Sequence, residues 1–200
     1  MKTTRATRAV KPAKKAAKPA ARSKAGAKAE TSSKGQLGPK VGSPAPSFSL
    51  PADSGDDVSL GSQKGKWVVL YFYPRDNTPG CTREAIAFEK AAGALKQRGA
   101  VVLGVSRDSV NSHCGFKEKQ GLRFPLLSDP DSKVHKLYGA YGNKVLYGKT
   151  ITGALRTTAV ITPDGKIARI FSNVKVDGHA DAVLAFLDEA KKGAAATPRA

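Results

Sequence analysis

The chain has 200 residues, 34 Lys/Arg against 16 Asp/Glu, a formal net charge of +18 and an apolar fraction of 40 %. That length suits one domain with a real core rather than two, and the low apolar share points to a segment that does not pack. The longest apolar run, Trp67 to Tyr73, falls far short of the roughly 20 residues that span a bilayer, and two cysteines exclude a disulfide-stapled scaffold.

Residues 1–40 hold 12 of the Lys/Arg and one acid, Glu30, a net of +11; residues 41–200 hold the remaining +7. The stretch from Lys11 to Ala21 contains only Lys, Pro and Ala, and the larger apolar residues of the segment are Met1, Val10 and Leu37. Such a segment cannot bury enough surface to offset the entropy of ordering, so a disordered basic tail is expected. It resembles the tails of linker histones and bacterial histone-like proteins. Three roles fit it: sequence-blind DNA contact by phosphate neutralisation, a solubilising appendage, or an organelle transit segment. No aromatic residue is interleaved for base stacking. No apolar stretch follows Met1-Lys2, so secretion is not expected.

From Val41 the texture changes. Ser43 to Leu50 reads as an extended leading segment and Asp53 to Asp57 as a turn. Trp67 to Tyr73, ended by Pro74, has the character of a strand buried on both faces. A helix is expected over about 80–98, closed by Gly99. Ala100 to Val105 is a second buried strand. Asp108 or Ser109 caps a helix to about Gln120, and Gly121 ends it. Leu122 to Leu127 is a short apolar stretch, Pro130 to Tyr138 a short helix, and Gly139 to Leu155 a Gly-rich loop. Thr157 to Ile161 and Ile167 to Phe171 form a hairpin about Pro163-Asp164-Gly165, and a last helix covers about His179 to Lys191. This order predicts an α/β sandwich with a mixed sheet flanked by helices, the element order of the thioredoxin-like fold. The expected divisions are a tail at 1–40, a domain at 41–192 and a flexible C-terminus at 193–200.

The chemistry gathers at Pro74-Arg-Asp-Asn-Thr78-Pro-Gly-Cys81, after the central strand, where sites of open α/β sheets form. Cys81 falls in the first turn of a helix. There, unpaired amides and the positive dipole end favour an anion, and such placement lowers a thiol pKa. Pro79 suits an early helical position, Gly80 permits close approach of a small substrate, Thr78 offers a hydroxyl, and Pro74 can shield the sulfur. On local physics alone, a buried and inert cysteine competes with a reactive one.

Pro74-x-x-x-Thr78-x-x-Cys81 is similar to the active-site motif of the peroxiredoxins, and Tyr71 to Ala85 resembles their Q-type, or bacterioferritin comigratory protein, subfamily. Val105 to Val110, Phe124 to Asp129, Tyr147-Gly148-Lys149 and Arg156-Thr157-Thr158 agree, so the resemblance spans about residues 40–190. It implies a thioredoxin-dependent thiol peroxidase acting on hydrogen peroxide and organic hydroperoxides. Cys81 would be the peroxidatic cysteine, becoming a sulfenic acid, with Thr78 bonding the peroxide. Arg156 would stabilise the sulfur anion and the shifting charge. Arg75, Arg83 and Arg107 lie in the same region and could substitute in part.

Many Q-type members carry a second cysteine five positions after the first. Ile86 stands there, so that disulfide is impossible. Another branch carries the resolving cysteine in the next helix, which implies that role for Cys114. At 100° per residue, Val110, His113 and Phe116 share a face and Cys114 lies on its flank. Thioredoxin would reduce the Cys81–Cys114 disulfide, with glutaredoxin a lesser candidate. A one-Cys route with an outside thiol remains open, as does a DNA- or nucleoid-associated protein carrying this domain. Lack of any Cys-x-x-Cys argues against a dithiol oxidoreductase or holdase. No metal or organic cofactor is implied, since His113, His135 and His179 lack ligand spacing. A cytoplasmic monomer is expected, with nucleoid association or organelle targeting as alternatives through the tail.

Overall fold

The computed structural model describes residues 38–146 and 149–195. The expected disorder and DNA contact of the tail up to residue 37, the match at Tyr147-Gly148, and the end of the expected flexible C-terminus (196–200) lie outside these residues.

At the centre stands β3 (Trp67–Phe72). Its alternate side chains supply both cores. Val69 and Tyr71 join Phe88, Leu95, Val183 and Leu187 on one face, while Val68, Leu70 and Phe72 join Leu103, Val134, Tyr138 and Ile161 on the other. Burial on both faces is why the run is continuously apolar. Each such side chain contributes about 1.5–3 kcal/mol by leaving water. Tyr71, Phe88 and Phe124 add ring contacts, with Tyr71 centroids 4.8 and 6.0 Å from the other two.

β3 pairs in parallel with β4 (Ala100–Ser106), which pairs in parallel with β5 (Leu126–Ser128). On its other side it pairs antiparallel with β8 (Thr157–Ile161), and β8 with β9 (Ile167–Ser172). The sheet order is β5-β4-β3-β8-β9. α1 (Pro79–Gln97) and α4 (His179–Ala195) cover the face of Val69 and Tyr71. α2 (Val110–Gln120) follows β4 and α3 (Lys133–Leu137) follows β5. The expected α/β sandwich with a mixed sheet is the architecture found.

Several local expectations change. Residues 139–155, expected as a loop, contain β6 (Tyr141–Leu146) and β7 (Lys149–Ala154), which pair only with each other in a separate two-stranded sheet. Gly142 faces Gly153 and Asn143 faces Thr152, so the ladder lacks the apolar alternation that marks a strand laid on a core. Asp53 to Asp57 joins two short strands, β1 (Ser49–Pro51) and β2 (Asp57–Ser59). The stretch from Leu122 is a strand only from Leu126, and the helix expected from Pro130 starts at Lys133, where Asp129 accepts its amide and that of His135, each at 2.9 Å. α4 continues past Lys191 to Ala195, into the segment expected to be flexible, because alanines sustain it through Gly193. Among the described residues, no helix is long and apolar enough to cross a membrane.

Candidate functional site

The site is assembled by the register of β8 on β3. Phe72 lies opposite Thr157, so Arg156, one residue earlier, comes level with the chain leaving β3. That chain turns through Asn77, whose φ of 57° an asparagine tolerates, and enters α1 with Pro79 at its first position. Thr78 is the N-cap in extended conformation, but its hydroxyl makes no cap; it donates instead to the Arg75 carbonyl at 3.1 Å. Cys81 is the third helical residue, in the first turn, where backbone amides lack intrahelical partners and the helix dipole is positive.

Cys81 is only 1 % exposed. Arg156 Nη2 donates to its Sγ at 3.5 Å, and Arg156 Nη1 donates to Glu84 Oε2. Glu84 sits one turn beyond Cys81 on the same helix face. A Cβ on Gly80 would lie 3.2 Å from Arg156 Nη2, so glycine leaves the guanidinium its room. Burial pushes the Glu84 carboxyl up to about 7 against the pull of Arg156. Arg156 itself is raised: burial opposes its charge, but Glu84 and Cys81 outweigh burial. Tyr71 lies beneath, its hydroxyl raised by burial and then by Glu84 and Cys81. Among the described residues, Tyr71 Oη and Glu84 Oε1 are buried without a hydrogen-bond partner. His179 Nε2 is hydrogen-bonded to Thr158 Oγ1 at 2.8 Å, and burial and then Arg156 push it down to about 4.

Arg156 and Cys81 are thus in contact, with Thr78 at the N-cap of the helix that carries Cys81; Pro74, half-buried, follows the strand before it, and Thr78 is partly open to solvent. The other arginines are placed elsewhere: Arg75 is exposed, Arg83 pairs with Asp177 at 3.4 Å, and Arg107 donates to the Pro130 carbonyl at 3.4 Å. Cys114 stands apart, exposed on α2 beside buried His113 and Phe116. Its Sγ donates to the Asp53 carbonyl at 3.1 Å, and Lys117, one turn on, pairs with the Asp53 carboxylate at 2.5 Å. Both thiols are free. His113 meets Asp76 and His135 meets Asp129. Glu84, Tyr71 and Asp76 were missed from sequence. Glu84 left a signal, as the lone acid among Cys81, Ala85 and Phe88 on the buried stripe of α1.

Known proteins resemble the chain in sequence and fold. The model of the AhpC/TSA family matches residues 41–170. The chain is 48 % identical over 145 residues to the Bcp protein of Coxiella burnetii, covering 72 % of this chain and 96 % of that one. It is 44 % identical over 146 residues to peroxiredoxin Bcp of Xanthomonas campestris, covering 72 % and 91 %. The structure superposes on the Xanthomonas campestris bacterioferritin comigratory protein, studied for alkyl peroxide reduction, with a TM-score of 0.68, 42 % identity and 72 % and 91 % coverage. Sequence and thioredoxin-like fold agree over nearly all the described residues: the chain belongs to the AhpC/TSA family, among the Bcp, or Q-type, peroxiredoxins.

Proposed function

We propose that this peroxidase reduces hydrogen peroxide and organic hydroperoxides at Cys81, with Cys114 as the resolving thiol and thioredoxin as the reductant. The observation that carries the reading is the 3.5 Å approach of Arg156 Nη2 to Cys81 Sγ at the opening of α1. A guanidinium and a helix N-terminus together set positive charge beside the sulfur. The thiolate attacks the terminal peroxide oxygen. A sulfur–oxygen bond forms, the oxygen–oxygen bond breaks, and the departing alkoxide or hydroxide takes a proton to leave as alcohol or water. Arg156 offsets the charge that moves between the oxygens. The Thr78 hydroxyl, which uses its proton on Arg75, keeps lone pairs to accept from the peroxide. Pro74 keeps water from the sulfur.

The Cys114 thiol then displaces the oxygen of the Cys81 sulfenic acid as water and leaves a disulfide. Thioredoxin reduces it by thiol–disulfide exchange. The exposure of Cys114 supports access by its partners. Its separate hydrogen bond to Asp53 also suits the second reading, a one-Cys cycle in which an outside thiol reduces Cys81 directly. Beside catalysis, residues 1–40 are proposed to make non-specific DNA contact, on their net charge of +11.

Two variants test the catalytic reading. Cys81→Ser abolishes peroxide turnover; surviving thioredoxin-coupled turnover refutes the assignment. Cys114→Ser keeps one fast reduction per subunit and loses recycling by thioredoxin. Recycling at the wild-type rate selects the one-Cys cycle.

A further inference from the structure

One carboxylate ties together the two segments that carry the sulfurs. Asp76 lies in the loop between β3 and α1, five residues before Cys81, and is 5 % exposed. Its Oδ1 accepts from the Tyr73 hydroxyl at 2.7 Å. Its Oδ2 accepts from Ser112 Oγ at 2.7 Å and is hydrogen-bonded to His113 Nδ1 at 2.9 Å. Ser112 and His113 are the two residues before Cys114. The Asp76 amide donates to Asp108 Oδ2 at 2.9 Å, which also accepts from Ser106 Oγ at 2.7 Å. His113 Nε2 meets the Leu127 carbonyl at 3.2 Å, which fixes the ring against β5. Burial works to raise the Asp76 carboxyl, but hydrogen bonds from His113, Tyr73 and Ser112 hold it below the ordinary carboxylate value. Buried bonds to an ionised carboxylate are among the stronger ones in a protein.

The two sulfurs meanwhile face different partners. Cys81 is in the core against Arg156, and Cys114 is exposed on the Asp53 carbonyl. A disulfide brings its Cβ atoms to about 3.5–4.5 Å. While Asp76 is bonded to Ser112 and His113, the loop before Cys81 and the first turn of α2 hold a fixed relation.

We propose that Asp76 is a positioning residue for resolution: its bonds to Ser112 and His113 hold the Cys81 loop and α2 in the peroxide-reactive arrangement, and the disulfide forms when they break. The inference rests on Cys114 being the resolving thiol. In that step the sulfur–sulfur bond forms, the sulfur–oxygen bond of the sulfenic acid breaks, and the oxygen leaves as water with the proton of the Cys114 thiol. Against it runs over-oxidation, in which a second peroxide transfers an oxygen to the Cys81 sulfenate, giving a sulfinic acid and releasing water or alcohol. The Asp76 knot sets the partition between the two.

Rapid-quench mass spectrometry on the full chain, after one equivalent of hydrogen peroxide and in a dose series, separates these events. Asp76→Asn keeps the shape and removes the charge; Ser112→Ala removes a single bond at a half-buried position and is the milder change. Oxygen transfer to Cys81 is expected within about threefold of wild type in both. Disulfide formation is expected to rise about tenfold in Asp76→Asn, the order that one charge-assisted hydrogen bond supplies, and by a smaller factor in Ser112→Ala. The peroxide concentration for half over-oxidation rises by the same factors. A residue that merely supports the fold would slow both steps and leave the protein more easily over-oxidised. If Asp76→Asn is too unstable to react, Ser112→Ala decides alone. Disulfide formation no faster than wild type overturns the inference and spares the proposed function. A wild-type protein that never forms the internal disulfide overturns both.

Discussion

At Cys81, Arg156 and Glu84 act together. Arg156 spans the sulfur and Glu84, so its position depends on the acid behind it. Arg156→Ala is expected to slow oxygen transfer about 10²–10³-fold, the usual loss when an aimed charge or donor is removed, while the unfolding midpoint moves little; single-turnover kinetics reads the first and denaturant titration the second. Glu84 adds a pH signature. Its folded value of about 7 exceeds the ordinary 4.5, so the folded protein keeps a proton that the unfolded chain releases. Its contribution to stability is present below about 4.5 and is lost as pH rises to about 7. His179 has the opposite sign: held near 4 rather than 6.5, it disfavours the fold increasingly as pH falls from 6.5 to 4. The two slopes oppose each other over a shared window, so wild-type stability alone is uninformative. The difference between wild type and Glu84→Gln isolates the acid. Their unfolding free energies should diverge between pH 4.5 and 7, by up to about 3 kcal/mol in favour of the glutamine; parallel curves contradict it.

The elements show what a linear reading can recover. β3 and β4 were legible because burial on both faces leaves a nearly continuous apolar run, β8 through the turn at Pro163-Asp164-Gly165 that follows it, and α2 because Ser109 and Gly121 punctuate it. Ser109 accepts the Ser112 amide at 3.3 Å, and Gly121 adopts φ 63°. Ser109→Ala should therefore cost about 1 kcal/mol in denaturant titration, and no loss would show that the cap contributes nothing. The hairpin β6–β7 was not legible, since it lies in its own two-stranded sheet and carries glycines face to face. Cys81, Thr78 and Pro74 were singled out by their place where a strand ends and a helix starts, and Arg156 through motif resemblance. What periodicity could not supply was the register that sets Thr157 opposite Phe72 and so delivers Arg156. Glu84 and Asp76 were missed because buried acids look like surface residues until their partners, 72 and 37 positions away at the most, are brought in by the fold.

Across the whole molecule, charge and chemistry are unevenly shared. Residues 1–40 hold +11 of the net +18, and the reactive residues all lie beyond them. Deleting residues 1–40 should abolish salt-sensitive retention on DNA and leave peroxide turnover unchanged; retention that survives the deletion contradicts the role proposed for the arm. The catalysis proposed depends instead on one buried sulfur at the start of α1, met by Arg156 from far along the chain. The direct test is dimedone trapping in the Cys114→Ser variant after a single equivalent of hydrogen peroxide, with the peptides mapped by mass spectrometry. Stoichiometric labelling at Cys81 is the expected result. A Cys81 recovered as unmodified thiol while peroxide persists would contradict the account.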